Sequence, residues 1–204
     1  MEAAVNEAVD QLLRFGPLVM LAVTAAWLAL ATRRTSASIG SRAYGFGQSA
    51  RQRLARLLFA GSVVGAVLAL VAYATGATTP FLNPMTGEAS IVRLAGLFLA
   101  MSGQALTLFA QDDMGRRWRV GVPEVAPDAL VTTGLFGLSR NPVFLGMLAM
   151  AAGLAVAVPA PAMIACAGVF WIACEIQVRD EERFLQRSFG PAYLAYRSAV
   201  RRWI

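Results

Sequence analysis

The chain of 204 residues contains neither histidine nor lysine. Without imidazole there can be no histidine-ligated metal or haem and no Ser-His catalytic pair. Acid–base work would have to come from Asp, Glu, Tyr, Arg or water. The two cysteines, Cys166 and Cys174, lie in one apolar run. Their spacing is too long for a disulfide within a helix and matches no metal motif, so they read as small buried apolar side chains. Charge is also scarce: 15% of residues are charged, against about 25% in ordinary soluble domains. No internal repeat, heptad pattern or low-complexity segment is present.

What the chain does have is apolar length. It is 57% hydrophobic, with a mean hydropathy of +0.58. Five runs stand out: residues 15–31, 57–75, 91–110, 143–158 and 161–178. A bilayer-spanning helix needs roughly 17–25 mostly apolar residues, so the first three are full length and the fourth is short. Val158-Pro159-Ala160-Pro161 separates the last two as a tight turn. The first run follows Glu2, Glu7 and Asp10, where a signal peptide would be basic, and Arg33-Arg34 succeed it directly. It reads as a retained span.

Arginine is distributed unevenly. Sixteen of the 18 fall after the first span (Arg33 to Arg56, including Arg42), after the third (Arg116 to Arg140) or in the tail (Arg179 to Arg202). Only Arg14 and Arg93 fall on the other side. The positive-inside rule then expects an outside N-terminus and a cytoplasmic C-terminus, which an odd number of spans also requires. The expected fold is all-α: a polytopic membrane helix bundle of five transmembrane helices, multi-pass in the cell membrane. Residues 1–110 form a three-span N-terminal region and residues 111–204 a second region carrying the chemistry. The net charge of +6 belongs to this juxtamembrane pattern, not to nucleic-acid binding.

The loop at residues 32–53 is rich in Ser and Gly, Ser41 among them, and should be cytoplasmic, with a short interfacial helix towards Arg56. Thr78 to Pro84 forms a proline-rich outside loop. Pro123 lies in the polar connection before the fourth span, and Trp118 among arginines suits a membrane interface. Ser102, Gly103, Gln104 and Thr107 in the third span favour close helix packing.

Two polar clusters flank the apolar hairpin. In the first, Arg140-Asn141-Pro142 opens a helix: Asn is a preferred N-cap and Pro a preferred first residue. The free N–H groups of such an end attract carboxylate or phosphate. In the second, Glu175, Arg179, Glu182 and Gln186 would share one helix face, with Glu181 on the next. Glu175 lies at membrane depth, where ionisable residues are functional candidates. Gly190-Pro191 should break the helix.

Leu130-Val131-x-x-Gly134-x-Phe136, Arg140-Asn141-Pro142-x-Phe144-x-Gly146, Glu181-Glu182, Leu185 and Phe189-Gly190-x-x-Tyr193-x-x-Tyr196 occur in that order. Together they resemble the isoprenylcysteine carboxyl methyltransferase family, within the wider group that includes phospholipid methyltransferases. Met114 to Arg119 is similar to bacterial members, and the resemblance covers roughly residues 112–202. Asn141 stands where many relatives carry histidine.

The resemblance implies an S-adenosylmethionine-dependent methyltransferase, with S-adenosylhomocysteine as product. It further implies a lipid or isoprenoid acceptor met at the cytoplasmic membrane face, and no metal. It places the cofactor among Leu130, Val131, Gly134, Leu135, Phe136, Arg140, Asn141, Pro142, Phe144, Glu181, Glu182, Tyr193 and Tyr196. The catalytic candidates are Arg140, Glu181 and Arg187. A carboxylate acceptor would need no base, and Arg187 or Arg140 could hold it bidentately; an amine would need a glutamate as base. The absence of histidine favours an acceptor that is already ionised. A non-catalytic scaffold or sensor and an NADPH-dependent lipid or sterol reductase are the competing readings.

Overall fold

We analysed a computed structural model of the chain. It describes all residues except 1, 41, 42, 46, 48, 78, 84–89 and 123–126, and the side chains at 2, 3 and 90 are likewise outside the description. Expectations for Ser41, Arg42, Thr78, Pro84, Pro123 and the Glu2 side chain therefore lie outside the described residues.

Among the described residues six helices follow one another: α1 (Glu2–Ile39), α2 (Ala50–Thr75), α3 (Ser90–Met114), α4 (Pro142–Ala157), α5 (Pro161–Phe189) and α6 (Pro191–Ala199). Short 3-10 turns occupy Gly115–Arg117 and Gly134–Gly137. Among the described residues no strand forms; one parallel bridge ties Tyr44 to Val120. Four helices among the described residues (α1, α2, α3 and α5) have the length and apolar composition to cross a membrane. The hairpin partner α4 has only 16 residues, or about 24 Å at 1.5 Å per residue.

Helices outrun the apolar segments that announced them. α1 continues to Ile39, through the loop expected to begin at residue 32, because side chains there bond back into the helix: Thr32 Oγ1 donates to Leu28 O and Ser36 Oγ to Thr32 O. α2 starts at Ala50 because Ser49 caps it, its Oγ accepting from Gln52 N. It stops at Gly76, which takes a left-handed φ of 74° and returns its N–H to the last carbonyls. α5 passes without a break from its apolar half into the charged segment and ends where Gly190 turns the chain into α6. That break falls at the predicted Gly190-Pro191.

The bundle is tightest between α3 and α4. Gly96 and Gly103 on α3 face Gly146 and Gly153 on α4 so closely that a Cβ on any of them would overlap the opposite backbone; at Gly96 it would lie 2.6 Å from Ala157 N. Ala100 and Thr107 fill the same seam, fully buried. Small residues let backbones approach where the hydrophobic effect does not drive helices together. The expectation of close packing around residue 103 is met by Gly103 and Thr107. Gln104 turns instead towards α1, donating to Met20 O and Thr24 Oγ1.

Elsewhere the packing is open. Between α1, α2, α4 and α5 lie two adjoining cavities of about 410 and 460 Å³. Their shared wall includes Leu28, Val63, Met147 and Phe170, with Tyr44 and Val120 from the bridged loops across it.

Trp118 departs from its expected place. It is buried, 5% exposed, and its indole N–H donates to Thr32 Oγ1 at 3.0 Å. It packs the long connection onto α1, shielded from the surface. The two minority arginines close helix C-termini: Arg14 Nε donates to Ala74 O at the end of α2, and Arg93 Nε to Ala157 O at the end of α4. Carbonyls at helix ends lack partners within the helix, and cations are favoured there.

Candidate functional site

The two polar clusters meet. Arg140, just before α4, and Glu182, on the charged half of α5, form an ion pair at 2.8 Å, with side chains 9% and 12% exposed. Arg202, beyond α6, closes on the same carboxylate: its Nη2 lies 2.7 Å from Glu182 Oε2 and its Nε 3.1 Å from Oε1. One carboxylate is thus held between two guanidinium groups. Removing one partner from a buried pair of this kind typically costs about 3–5 kcal/mol, because the other charge is left uncompensated.

The segment after α6 is woven into the start of α4. Arg140 N–H donates to Arg201 O, and Arg140 Nη1 donates to Val200 O. Ser139 Oγ and Asn141 Nδ2 both donate to Arg202 O. Asn141 occupies the N-cap position and Pro142 the first turn, as expected, but the Asn141 side chain makes no capping bond. Its amide is engaged by the tail, so the first N–H groups of α4 have no side-chain cap.

On the other side of Phe136, Tyr196 donates its hydroxyl to Phe136 O at 2.7 Å. Burial pushes the Tyr196 hydroxyl up to about 12, so it remains a donor. Gly134 holds a positive φ of 62°, and a Cβ there would press on the Asp113 carboxylate, which accepts the Leu135 N–H at 2.9 Å. This turn presents Phe136 to the cleft.

Around these groups runs a narrow cleft of about 60 Å³, lined by Leu130, Val131, Phe136, Arg140, Asn141, Glu181, Glu182, Tyr193 and Tyr196. It shares Phe136, Arg140, Asn141 and Glu181 with the 410 Å³ cavity, whose wall adds Phe144. Ligand pockets usually measure about 300–1,000 Å³, so the cleft alone is small and the two together are adequate.

Most of the residues singled out in the sequence therefore converge. Pro142, Gly134 and Leu135 shape the surroundings without lining the cleft. Arg187 does not join them: it lies in a separate exposed cleft with Arg51, Asp180 and Arg183. Of the two arginines offered as alternatives for holding a carboxylate, only Arg140 lines the cleft beside Glu181 and Glu182. Arg140 itself is committed to Glu182 and to tail carbonyls. Glu175 pairs with Arg179 at 3.1 Å, one turn on, and lines neither cavity. Glu181 differs from its neighbour: among the described residues no ion pair or hydrogen bond reaches its carboxylate, which lines both the cleft and the cavity.

Sequence reasoning missed Arg202, Ser139, Asp113 and Gln177. Arg202 and Asp113 carried no local signal, since their partners lie 20 and 22 positions away. Gln177 had one: it precedes Glu181 by a helical turn.

Apolar helices long enough to cross a membrane thus carry a polar cleft that shares wall residues with an apolar cavity. The model of the phospholipid methyltransferase family matches residues 91–192, half of the chain, and the chain belongs to that family. The family is related to the isoprenylcysteine carboxyl methyltransferases. It groups membrane methyltransferases. No curated protein matches the chain.

Proposed function

We propose that the protein is a multi-pass membrane methyltransferase that uses S-adenosylmethionine to methylate a lipid or isoprenoid-type acceptor at the cytoplasmic face, with its N-terminus outside. The observation that carries this reading is the continuity between the polar cleft at Arg140, Glu181 and Glu182 and the apolar cavities between the helices. A water-borne donor and a membrane-borne acceptor need such a junction.

The residues present fit the cofactor. The uncapped start of α4 supplies N–H groups and a partial positive charge for its carboxylate. Glu181 offers an unpaired carboxylate for its amine or sulfonium, and Phe136 and Tyr193 offer faces to a cation. When bound, S-adenosylmethionine supplies an electrophilic methyl group.

The protein's own part is positional. Arg140 and Arg202 hold Glu182, and through it fix the end of α5 against the start of α4. That fixes where Glu181 stands. The apolar walls exclude water and take up the acceptor's hydrocarbon chain. If the acceptor is an amine, Glu181 is the group within the cavity that can accept its proton.

Titration calorimetry with S-adenosylhomocysteine on folded, purified protein tests the reading. Binding in the micromolar range is the expected result; absence of binding at millimolar ligand would sink it. A lipid extract assayed with methyl-labelled cofactor would then identify the acceptor.

A further inference from the structure

Arg187 is the singled-out residue that the candidate site leaves unused. On α5 it shares a helix face with Asp180, Arg183 and Phe184. That face meets the start of α2, where Arg51 and Gln52 bond to Asp180. Between the two helices lies an open cleft of about 1070 Å³, whose wall includes these residues and Ser188. Phe184 also lines the cleft at Arg140 and marks the boundary between the two.

Three arginines in the described wall stand against one carboxylate, an excess of two positive charges. Asp180 Oδ1 accepts from Arg51 Nε at 3.2 Å and from Arg183 Nη1 at 3.3 Å, and Oδ2 accepts from Gln52 Nε2 at 2.8 Å. The carboxylate thus holds both arginines in place without using up their donors. Among the described residues Arg187 has no partner.

The apolar run of α5 ends at residue 178 and that of α2 begins at residue 57. Both helices therefore pass from apolar to charged within two turns of the Arg51–Asp180 pair. In a bilayer such a level is the head-group layer beside the hydrocarbon core. Leu54 and Leu57, which follow Arg51 on α2, are 49% and 66% exposed, as suits cover by acyl chains. We propose that this cleft binds the phosphodiester head of an anionic membrane lipid, at a site separate from Arg140, Glu181 and Glu182. Guanidinium forks match the free oxygens of a phosphodiester. A choline lipid carries its own cation, which the surplus positive charge repels. Free phosphate offers the same oxygens but nothing to cover Leu54 and Leu57.

The test offers the whole protein in detergent equal amounts of phosphatidylglycerol and phosphatidylcholine with the same acyl chains. Retained lipid is counted by native mass spectrometry. The wild type should retain the glycerol lipid about tenfold over the choline lipid. Arg187→Gln, which breaks no bond in the structure, should lower that ratio about fivefold, the effect of one basic group near a membrane surface. Replacing Arg183 by Gln as well should bring it to parity. Arg33→Gln removes the same charge from an exposed position on α1 outside the cleft and should leave the ratio unchanged. Equal retention by the wild type, or a preference that survives in the double variant, overturns the proposal. So does an equal loss in Arg33→Gln, which would show net charge acting without a site. Displacement of the glycerol lipid by millimolar inorganic phosphate, at ionic strength matched with chloride, overturns the lipid as occupant. None of these outcomes depends on S-adenosylhomocysteine binding, so the enzyme reading stands or falls apart from them.

Discussion

The α3–α4 seam and the space enclosed by α1, α2, α4 and α5 are built from similar apolar helices, yet one has no room for a Cβ and the other holds cavities of about 410 and 460 Å³. Glycine spacing makes the difference. Gly96, Gly103, Gly146 and Gly153 bring two backbones together, whereas bulky side chains such as Phe59 and Phe170, edge to face at 5.3 Å, line the wall of the 410 Å³ cavity. In a membrane, where apolar surface gains little by leaving lipid, backbone contact supplies rigidity and bulky side chains supply space. One half of the bundle is a frame and the other a vessel.

The most severe way to break this contrast is to widen the seam. Gly153→Leu should destabilise by more than about 4 kcal/mol, read as loss of the monodisperse peak in detergent size-exclusion chromatography. A variant as stable as the wild type would show that the seam is not the frame. Next in size is Glu182→Ala, which leaves Arg140 and Arg202 without their shared carboxylate. A loss of about 3 kcal/mol of stability is expected, seen as a lowered unfolding midpoint in detergent; an unchanged midpoint would show that the pair does not brace the site.

Filling the vessel should act more selectively. Ala167, which lines the 460 Å³ cavity, can be replaced by Trp. Methyl transfer to extracted lipid should then fall about tenfold, or about 1.4 kcal/mol, with cofactor affinity intact; equal losses of both would place the two ligands in one space. Smallest is Arg51→Ala. Arg51 is half exposed, and its partner Asp180 keeps Gln52 and Arg183. Thermal stability should change by less than about 1 kcal/mol, and S-adenosylhomocysteine titration should be unchanged.

Much of the frame could be read from the chain. Apolar runs located the helices, Val158 to Pro161 located the hairpin turn, and Gly190-Pro191 located the break before α6. These features are local, set by propensity and backbone geometry within a few residues. The site was legible where motif residues line it, as with Arg140, Asn141, Glu181 and Tyr196. Arg187 lines a different cleft from Arg140, which periodicity could not foresee, since it gives a face but not what that face meets. Trp118 was misread because an amphipathic side chain suits both an interface and a buried hydrogen bond, and only Thr32 on α1 decides between them. The grip of Arg202 on Glu182 was invisible, since nothing near either residue announces the other.

The weaving of residues 200–202 into the start of α4 also has a consequence in time. Ribosomes make this stretch after α1 to α6. Earlier in synthesis, α4 and α5 can be inserted and paired while Glu182 still lacks its second guanidinium and Asn141 lacks its carbonyl partner. The polar centre around Glu182 can therefore be completed only once residue 202 has been made, after α4 and α5.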